Sequence, residues 1–590
     1  VVELQVVNNR LIGNPLEPRC ALAEHDGATG VTTLYCPSQG AHRIHRILTG
    51  SVLAIPAEKL RVVSGDVGGG FGIRAKAYPE LALLAWAAKR LERPLKWRGD
   101  RAETMVADNH ARDHVSRAKL ALDGDGKVVA LWIDTAANMG AYLSEMGPMI
   151  PTLVGRRSTG TVYHIPALYH SIRCLFTNTV PIDSYRGAGR PETAYLMERL
   201  IDAAARQLGL DAAEIRRRNL VPASAFPYTN CAGMVIDSGD FAGNLETALA
   251  EAGWNTFAGR RAEAEGRGKR RGIGIGCFLE CSGGMVAEEA RLRLDAGGKA
   301  SLFVGTFSHG QGHETVFCQV VAEKLGLPFA NIRFVDAGDT TVVPFGHGTS
   351  ASRSAHMGGN AVAGACDKVI EKGKATAARL LQADPSNIDF QAGRFVVSGG
   401  SGSVALAEVA AAADPVLDET LRYQRGPEDF NYPNGCHIAE VEVDPPTGAV
   451  AVVGYTAVDD NGRVLNPLIV HGQVHGAVAQ GLGQALYEHA VYEKETGQLL
   501  TASFLDYGLP RAVHMPPLKL LNNEVPCATN DLGVKGAGEG GCCGAPPAIV
   551  NAVLDALAPL GVEYIDMPLT PVRVWRAIKA AHCPGSSLES

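Results

Sequence analysis

The sequence has 590 residues, 46% hydrophobic and 20% charged, with a formal net charge of -7 at pH 7. That length is too great for one core and predicts several structural units at roughly 100 to 200 residues each, while the acidic balance without a basic face excludes a nucleic-acid partner. The longest apolar run, Leu81 to Ala88, is closed by Lys89-Arg90 and falls far short of the ~20 residues of a bilayer span, so no membrane crossing is expected.

The thirteen cysteines are scattered. Cys277 and Cys281 stand alone with three residues between them, so no zinc or iron–sulfur spacing exists and reduced thiols in a cytoplasmic protein are expected. The chain opens Val1-Val2-Glu3-Leu4 instead of Met, without a signal-like stretch, which predicts a processed product or a start that lies elsewhere.

Taken in order, Leu4 to Val7 reads as a strand, and Cys36-Pro37-Ser38-Gln39-Gly40 leads into a helical segment from His42 to Leu53. Strand Leu60 to Val63 feeds the loop Gly65-Asp66-Val67-Gly68-Gly69-Gly70-Phe71-Gly72. Helix Pro79 to Leu91 follows, stopped by Pro94 before a strand at Leu95-Lys96-Trp97. A hairpin over Lys119 to Asp134 turns at Asp123-Gly124-Asp125-Gly126. The loop from Asp183 to Glu192 opens a helix with Leu196, Leu200, Ala204 and Leu208 on one face. Asp211 caps a shorter helix ending in Arg216-Arg217-Arg218-Asn219, a triplet expected to form a solvated face.

Residues 260–271, rich in Arg, Glu and Gly, read as an exposed linker dividing a unit at 1–260 from one at 261–590. Beyond it the pattern partly recurs: a hairpin over Ala290 to Gly305, a helix from His313 to Leu325 opened by Gly310-Gln311-Gly312, and a strand Ile332 to Val335. Glycine loop, helix, proline and strand thus occur in both halves, which hints at two related lobes. A small-residue loop at 346–354 precedes a helix near Gly358. Cys436 to Val458 forms a hairpin, and Val470 to Glu488 a helix with Gln473 and Gln480 on one face.

The most informative stretch is Gly533 to Pro547. Glu539 is set among glycines before a helix whose first turn suits Pro546 and Pro547. A carboxylate so crowded and poorly hydrated is expected to have its pKa raised toward that of a useful base. Gly536, Gly538 and Gly541 match the spacing of a dinucleotide fingerprint, but no strand precedes them and the prolines interrupt the helix start, so a nicotinamide-dependent dehydrogenase is the weaker reading. Five small-residue loops, at 65–72, 183–192, 308–313, 346–354 and 533–544, each meet a helix N-terminus. Together they point to a large, polar, phosphate-bearing cofactor held by backbone donors.

The ordered motifs GDVGGGFG, SYRGAGRPE, HGQGHET, GTSASRS, GQVHGAVAQGLGQ and GAGEGG span nearly the whole chain. They resemble the molybdopterin-binding large subunit of the xanthine oxidase family of molybdenum hydroxylases, on the branch with carbon monoxide dehydrogenase-like and aldehyde or N-heterocycle hydroxylases. The resemblance implies an α+β fold of two elongated lobes with the cofactor between them. It places Glu539 at the catalytic base, Gln39 near the metal and Arg186 on the substrate-side loop. Gly70, Phe71, Gly72, Gly310, Gln311, Gly312, Ala351, Ser352, Ser354, Gln473 and Gly538 fall at cofactor-holding positions. Outside that pattern, Arg186 could simply pair with Glu192.

Molybdenum takes its sulfur ligands from the pterin dithiolene, so no protein metal ligand is expected; the pterin is carried as such or as the cytosine dinucleotide. The resemblance further implies iron–sulfur and FAD subunits as partners in a dimer of heteromers, with the family's usual N-terminal domain on a separate chain or outside the fragment. Gly187 stands where carbon monoxide-oxidising members have a copper-binding cysteine, and Ala75 and Ala188 where purine-oxidising members have a glutamate and an aromatic. The implied substrate is therefore an aldehyde or another N-heteroaromatic. A catalytically silent scaffold subunit is the alternative from a different class.

Overall fold

The computed structural model describes residues 1–582 apart from 285, 336, 337, 344, 427 and 428, so the last eight residues of the expected second unit, 583–590, lie outside it. The fold is α+β, built from four four-stranded sheets and the helices packed on them.

In the first half, β1 (Val2–Asn8), β6 (His114–Leu122), β7 (Val128–Gly140) and β8 (Leu168–Phe176) form one sheet in that order, with β8 parallel to β7 and the other pairs antiparallel. Between β1 and β6 the chain makes a second, smaller sheet, ordered β4-β3-β2-β5: β2 (Cys20–Asp26), β3 (Val31–Tyr35), β4 (Leu60–Val63), β5 (Leu95–Arg98). Helix α1 (Ala41–Ile47) links β3 to the parallel β4, and α2 (Pro79–Leu91) links β4 to β5. After β8 come α3 (Arg190–Leu208) and α4 (Ala212–Asn219), the latter capped by Asp211 as expected.

The second half repeats this arrangement. Strands β9 (Arg270–Leu279), β14 (Asn434–Asp444), β15 (Ala449–Asp460) and β16 (Leu518–Asn522) form its larger sheet, again with only the last pair parallel. Its smaller sheet is ordered β12-β11-β10-β13, from β10 (Glu288–Leu294), β11 (Ala300–Val304), β12 (Ile332–Val335) and β13 (Asp418–Tyr423). Before β9 lies α5 (Phe257–Gly266); α6 (His313–Leu325) and α7 (Asn360–Leu381) take the places of α1 and α2. Helix α8 (Pro467–Leu486) lies between β15 and β16, and α9 (Gly540–Leu557) follows β16 as α3 follows β8. Each strand of the four-stranded sheets in the first half therefore has its counterpart in the second, a stronger repeat than the glycine loops alone suggest.

Three packing features position the site. One apolar core joins the two larger sheets with α3, α8 and α9, and the smaller sheets carry separate cores of their own. Residues 260–271 are not a linker: they belong to α5 and the start of β9, where Arg260 and Arg271 both bond to Glu440 on β14, at 3.0 and 2.5 Å. Finally, α9 lies directly on β9, because Gly272, Gly274 and Gly276 share one face of that strand. A Cβ at Gly274 would fall 2.2 Å from the Ala552 nitrogen and 2.4 Å from the Ala548 oxygen.

Two expectations fail locally. Helix α9 begins at Gly540, so Pro546 and Pro547 lie inside it and not in its first turn. The segment Gly540–Leu560 contains an 18-residue stretch of mean hydropathy 1.3, long and apolar enough to cross a bilayer, but 78% of that stretch is buried among the other elements. And Arg216 is not solvated: it is fully buried and paired with Glu198 at 2.6 Å, while Arg217 and Arg218 face outward. Three consecutive helical positions point about 100° apart, so one of three arginines turns inward even when the run is polar.

Candidate active site

The five small-residue loops converge. Residues from each of them, among them Gly70 and Phe71, Arg186 and Arg190, His309 and Gln311, Ala351 and Ser352, and Gly538 and Glu539, line one cavity of about 870 Å³. Ala75 and Ala188 also line it, and its apolar wall includes Met146, Met149, Ile150, Leu153 and Val154.

Gln39 ties the two halves together beside this cavity. Its side-chain oxygen accepts the Gly72 N–H at 2.8 Å, its Nε2 donates to the Thr349 carbonyl at 2.9 Å, and its own carbonyl accepts the Thr349 N–H at 2.8 Å. Gly72 has φ +100, and any Cβ there would lie 2.3 Å from the Ser184 carbonyl oxygen, so the close approach of the two loops demands glycine. Phe71, Ala351 and Ser352 also hold positive φ values (55°, 51° and 49°), which marks both loops as constrained. In the 308–313 loop, Gln311 accepts the His309 N–H at 2.5 Å, and Ser308 accepts from Gly310 and Gly312, each at 3.1 Å. The Ser354 hydroxyl joins a chain with Thr306 at 2.7 Å and Thr349 at 3.3 Å.

Arg186 does not pair with Glu192, which faces Arg112 instead at 3.5 Å. It reaches across from the loop before α3 to α8 and the loop before α9. Its Nε donates to the Gly538 carbonyl at 2.5 Å, and its terminal nitrogens donate to Gln480 Oε1 at 3.1 Å and to the Gln473 carbonyl at 3.0 Å. Gln473 and Gln480 thus share a face, as their spacing predicts.

Glu539 is the residue immediately before α9, with about 15% of its side chain open to the cavity. Its Oε1 accepts the Gly187 N–H at 2.7 Å; its Oε2 accepts from the Ser352 hydroxyl and from Arg190, each at 2.9 Å. Burial alone would push this carboxyl up. Arg190, the Gly187 N–H, Ser352 and the neighbouring Glu280 outweigh it and hold Glu539 below the ordinary carboxylate value. The expected upward shift is therefore reversed: Glu539 is ionised at neutral pH. Arg190 and Glu280 are the participants that motif reasoning passed over. Arg190 occupies the first position of a helix, where a cation is disfavoured by the helix dipole, and Glu280 ends an apolar strand run; each oddity is visible in the sequence.

The donor set fits an enclosed polar organic cofactor. Both ring nitrogens of His309 and the Nδ1 atoms of His313 and His347 are buried without a partner, and all three residues line the cavity. Burial pushes these imidazoles down to about 3, 4 and 3, so they are neutral groups that need a hydrogen-bonding ligand. Gly310 leaves open space where a side chain would project. Among the described residues no cluster of three or more His, Cys, Asp and Glu is built to hold a metal ion.

Residues 1–220 and 247–516 each match the sequence model of a molybdopterin cofactor-binding domain. The 6-hydroxypseudooxynicotine dehydrogenase complex subunit gamma of Paenarthrobacter nicotinovorans is 34% identical over 591 residues, covering 98% of this chain and 73% of that one. The chain belongs to the xanthine oxidase family of molybdenum hydroxylases. Within it, the nicotine 6-hydroxylase large subunit of the same organism is 35% identical, with 97% of this chain and 72% of the relative covered. Among solved structures, quinoline 2-oxidoreductase from Pseudomonas putida 86 superposes with a TM-score of 0.94 at 35% identity, over 98% of this chain and 76% of that one. This large subunit is accordingly a molybdenum-dependent oxidoreductase that binds a molybdopterin cofactor.

Proposed function

We propose that this chain is the catalytic subunit of a hydroxylase acting on a carbon of an N-heteroaromatic ring, with an aldehyde carbon as the second substrate class. The observation that carries the reading is the ionised Glu539 carboxylate, aimed into a cavity on which five loops converge. The apolar wall at Met146, Met149 and Ile150, and the small side chains of Ala75 and Ala188, suit a flat neutral ring. Relatives named for nicotine and quinoline chemistry support the same class.

In this reading, Gly70, Phe71, Gly72, Gly310, Gln311, Gly312, Ala351, Ser352, Ser354, Gln473 and Gly538 hold the molybdopterin, taken as its cytosine dinucleotide. When bound, the cofactor supplies the two-electron oxidation and the site at which water-derived oxygen is delivered. The chain's own task is acid–base chemistry and positioning. Glu539 takes up the proton released during oxygen transfer, and Gly187, Ser352 and Arg190 keep it ready as a carboxylate. Arg186 fixes the base loop by binding the Gly538 carbonyl to Gln473 and Gln480, and Gln39 fixes the facing loops at Gly72 and Thr349. Iron–sulfur and FAD subunits receive the electrons, and the complex is a cytoplasmic dimer of heteromers.

The test is Glu539→Gln in the purified complex, assayed on N-heterocycles and aldehydes with an artificial electron acceptor. Turnover should drop by ~10²- to 10⁴-fold, the usual worth of a positioned base, at wild-type molybdenum content. Undiminished turnover would remove Glu539 from the chemistry.

A further inference from the structure

Glu280, the first residue after β9, has no exposed surface and is not used by the chemistry above. Its Oε1 accepts from Arg190 at 3.2 Å, and the same guanidinium nitrogen donates to Glu539 Oε2 at 2.9 Å. The other Glu280 oxygen is buried with no donor, and the two carboxyl groups lie within hydrogen-bonding reach of one another. Two buried carboxyls thus share one guanidinium.

The charge count decides what such a trio does. With both carboxyls ionised, an uncompensated negative charge would sit in a poorly hydrated place; with one proton retained, Arg190 balances the other. Donors favour ionisation where they are most numerous. Glu539 receives three, from Gly187, Ser352 and Arg190, whereas Glu280 receives one. The proton therefore resides on Glu280, and its O–H supplies the fourth donor to Glu539.

We propose that Glu280 is the positioning residue of the Glu539 base: it retains a proton at neutral pH, donates it in a hydrogen bond to Glu539, and titrates with it as one acid–carboxylate pair. The proposal rests on the reading of Glu539 as the base. No bond to carbon is made or broken; a single proton lies between two carboxyls, and its loss to water leaves a dianion facing Arg190.

The groups that face the pair are Arg190 from α3, Cys281 next to Glu280, and Cys542 and Cys543 from the first turn of α9. Burial pushes Cys542 up to about 11 and Cys543 well above its ordinary range, so neither thiol changes charge in the working range. Burial, together with the Glu539 charge, pushes Glu280 up to about 8. Above that pH the base loses its donor and gains a negative neighbour, and its own pKa rises.

Infrared difference spectra of the holoenzyme complex test this without reference to turnover. Burial pushes the Glu488 carboxyl up to about 8 as well, so the band is read as the wild-type spectrum minus that of Glu280→Gln: this difference should show a protonated-carboxyl C=O band below pH 8 that is abolished as the pH rises through about 8. In parallel, the kcat profile of Glu280→Gln should lose its inflection near 8, because the amide donates permanently. Glu280→Ala, which removes the donor, should move the acidic limb of kcat upward by about one unit, the scale of one charge-assisted hydrogen bond. A merely structural Glu280 would lower kcat equally at all pH values, and that result overturns the proposal. So does a difference spectrum without the band. The two readings fail separately: an absent band with an essential Glu539 removes only the pair, while a titrating band with an active Glu539→Gln removes only the base.

Discussion

The two halves of the molecule share a strand order and differ where it matters. In the first half, β1 meets α3 through side chains, with Val2 and Val6 buried in one core with Leu196 and Leu200. In the second, β9 presents glycines, and α9 approaches the strand backbone itself. The ends of these paired helices also carry opposite chemistry. The start of α3 offers donors, the Gly187 N–H and Arg190, while α9 is preceded by the acceptor Glu539. A duplicated scaffold supplies symmetry, and the chemistry comes from unequal substitutions at equivalent helix ends.

Replacing Arg190 tests that asymmetry most severely. Arg190→Met leaves two buried carboxyls without their cation, which should cost about 3–5 kcal/mol of stability, as for other broken buried pairs. Glu539 should then titrate nearer neutrality, so the acidic limb of the kcat–pH profile should move upward; a profile that keeps its wild-type limb would show that the donor end of α3 does not set the base.

The helix–strand contacts should respond in opposite senses. Adding one methyl in Gly274→Ala forces α9 off β9 and should cost about 3 kcal/mol, the upper end of overpacking, whereas in the first half it is removal of volume, Val6→Ala, that should cost about 2 kcal/mol. Thermal unfolding of the two variants checks the contrast. Equal tolerance of Gly274→Ala and of a surface substitution would mean that the close approach is not needed.

A smaller effect concerns Glu488, which is buried and accepts a hydrogen bond from the Tyr507 hydroxyl at 2.9 Å. Burial pushes it up to about 8 from its ordinary 4.5. A raised carboxyl contributes its full stability below about 4.5 and loses it as pH rises toward 8, because the unfolded chain releases the proton first. Glu488→Gln should therefore flatten the decline of the melting temperature between those two pH values. An unchanged slope would place the titration elsewhere.

How much of this was legible in the sequence follows from the range of each interaction. The small-residue loops and the cap at Asp211 were readable because their geometry is settled by neighbouring residues. The start of α9 was misplaced because proline suits a first turn and glycine disfavours a helix. Tertiary packing overrides both rules here: Cβ atoms at Gly541 and Gly544 would lie 2.7 Å from Ala477 and 2.6 Å from His437. The direction of the Glu539 shift was out of reach for a different reason. Its counter-ion, Arg190, lies 349 positions away, and no local pattern announces such a partner.

The tie made by Gln39, Gly72 and Thr349 has a consequence for how the protein is made. The walls of the cavity run from Gln39 near the start of the chain to Glu539 near its end, and strands of both halves share one core. No ribosome-bound intermediate short of Glu539 possesses the complete binding site. The proposed cofactor site is therefore complete only once the chain through Glu539 has been made and its two halves have come together on it.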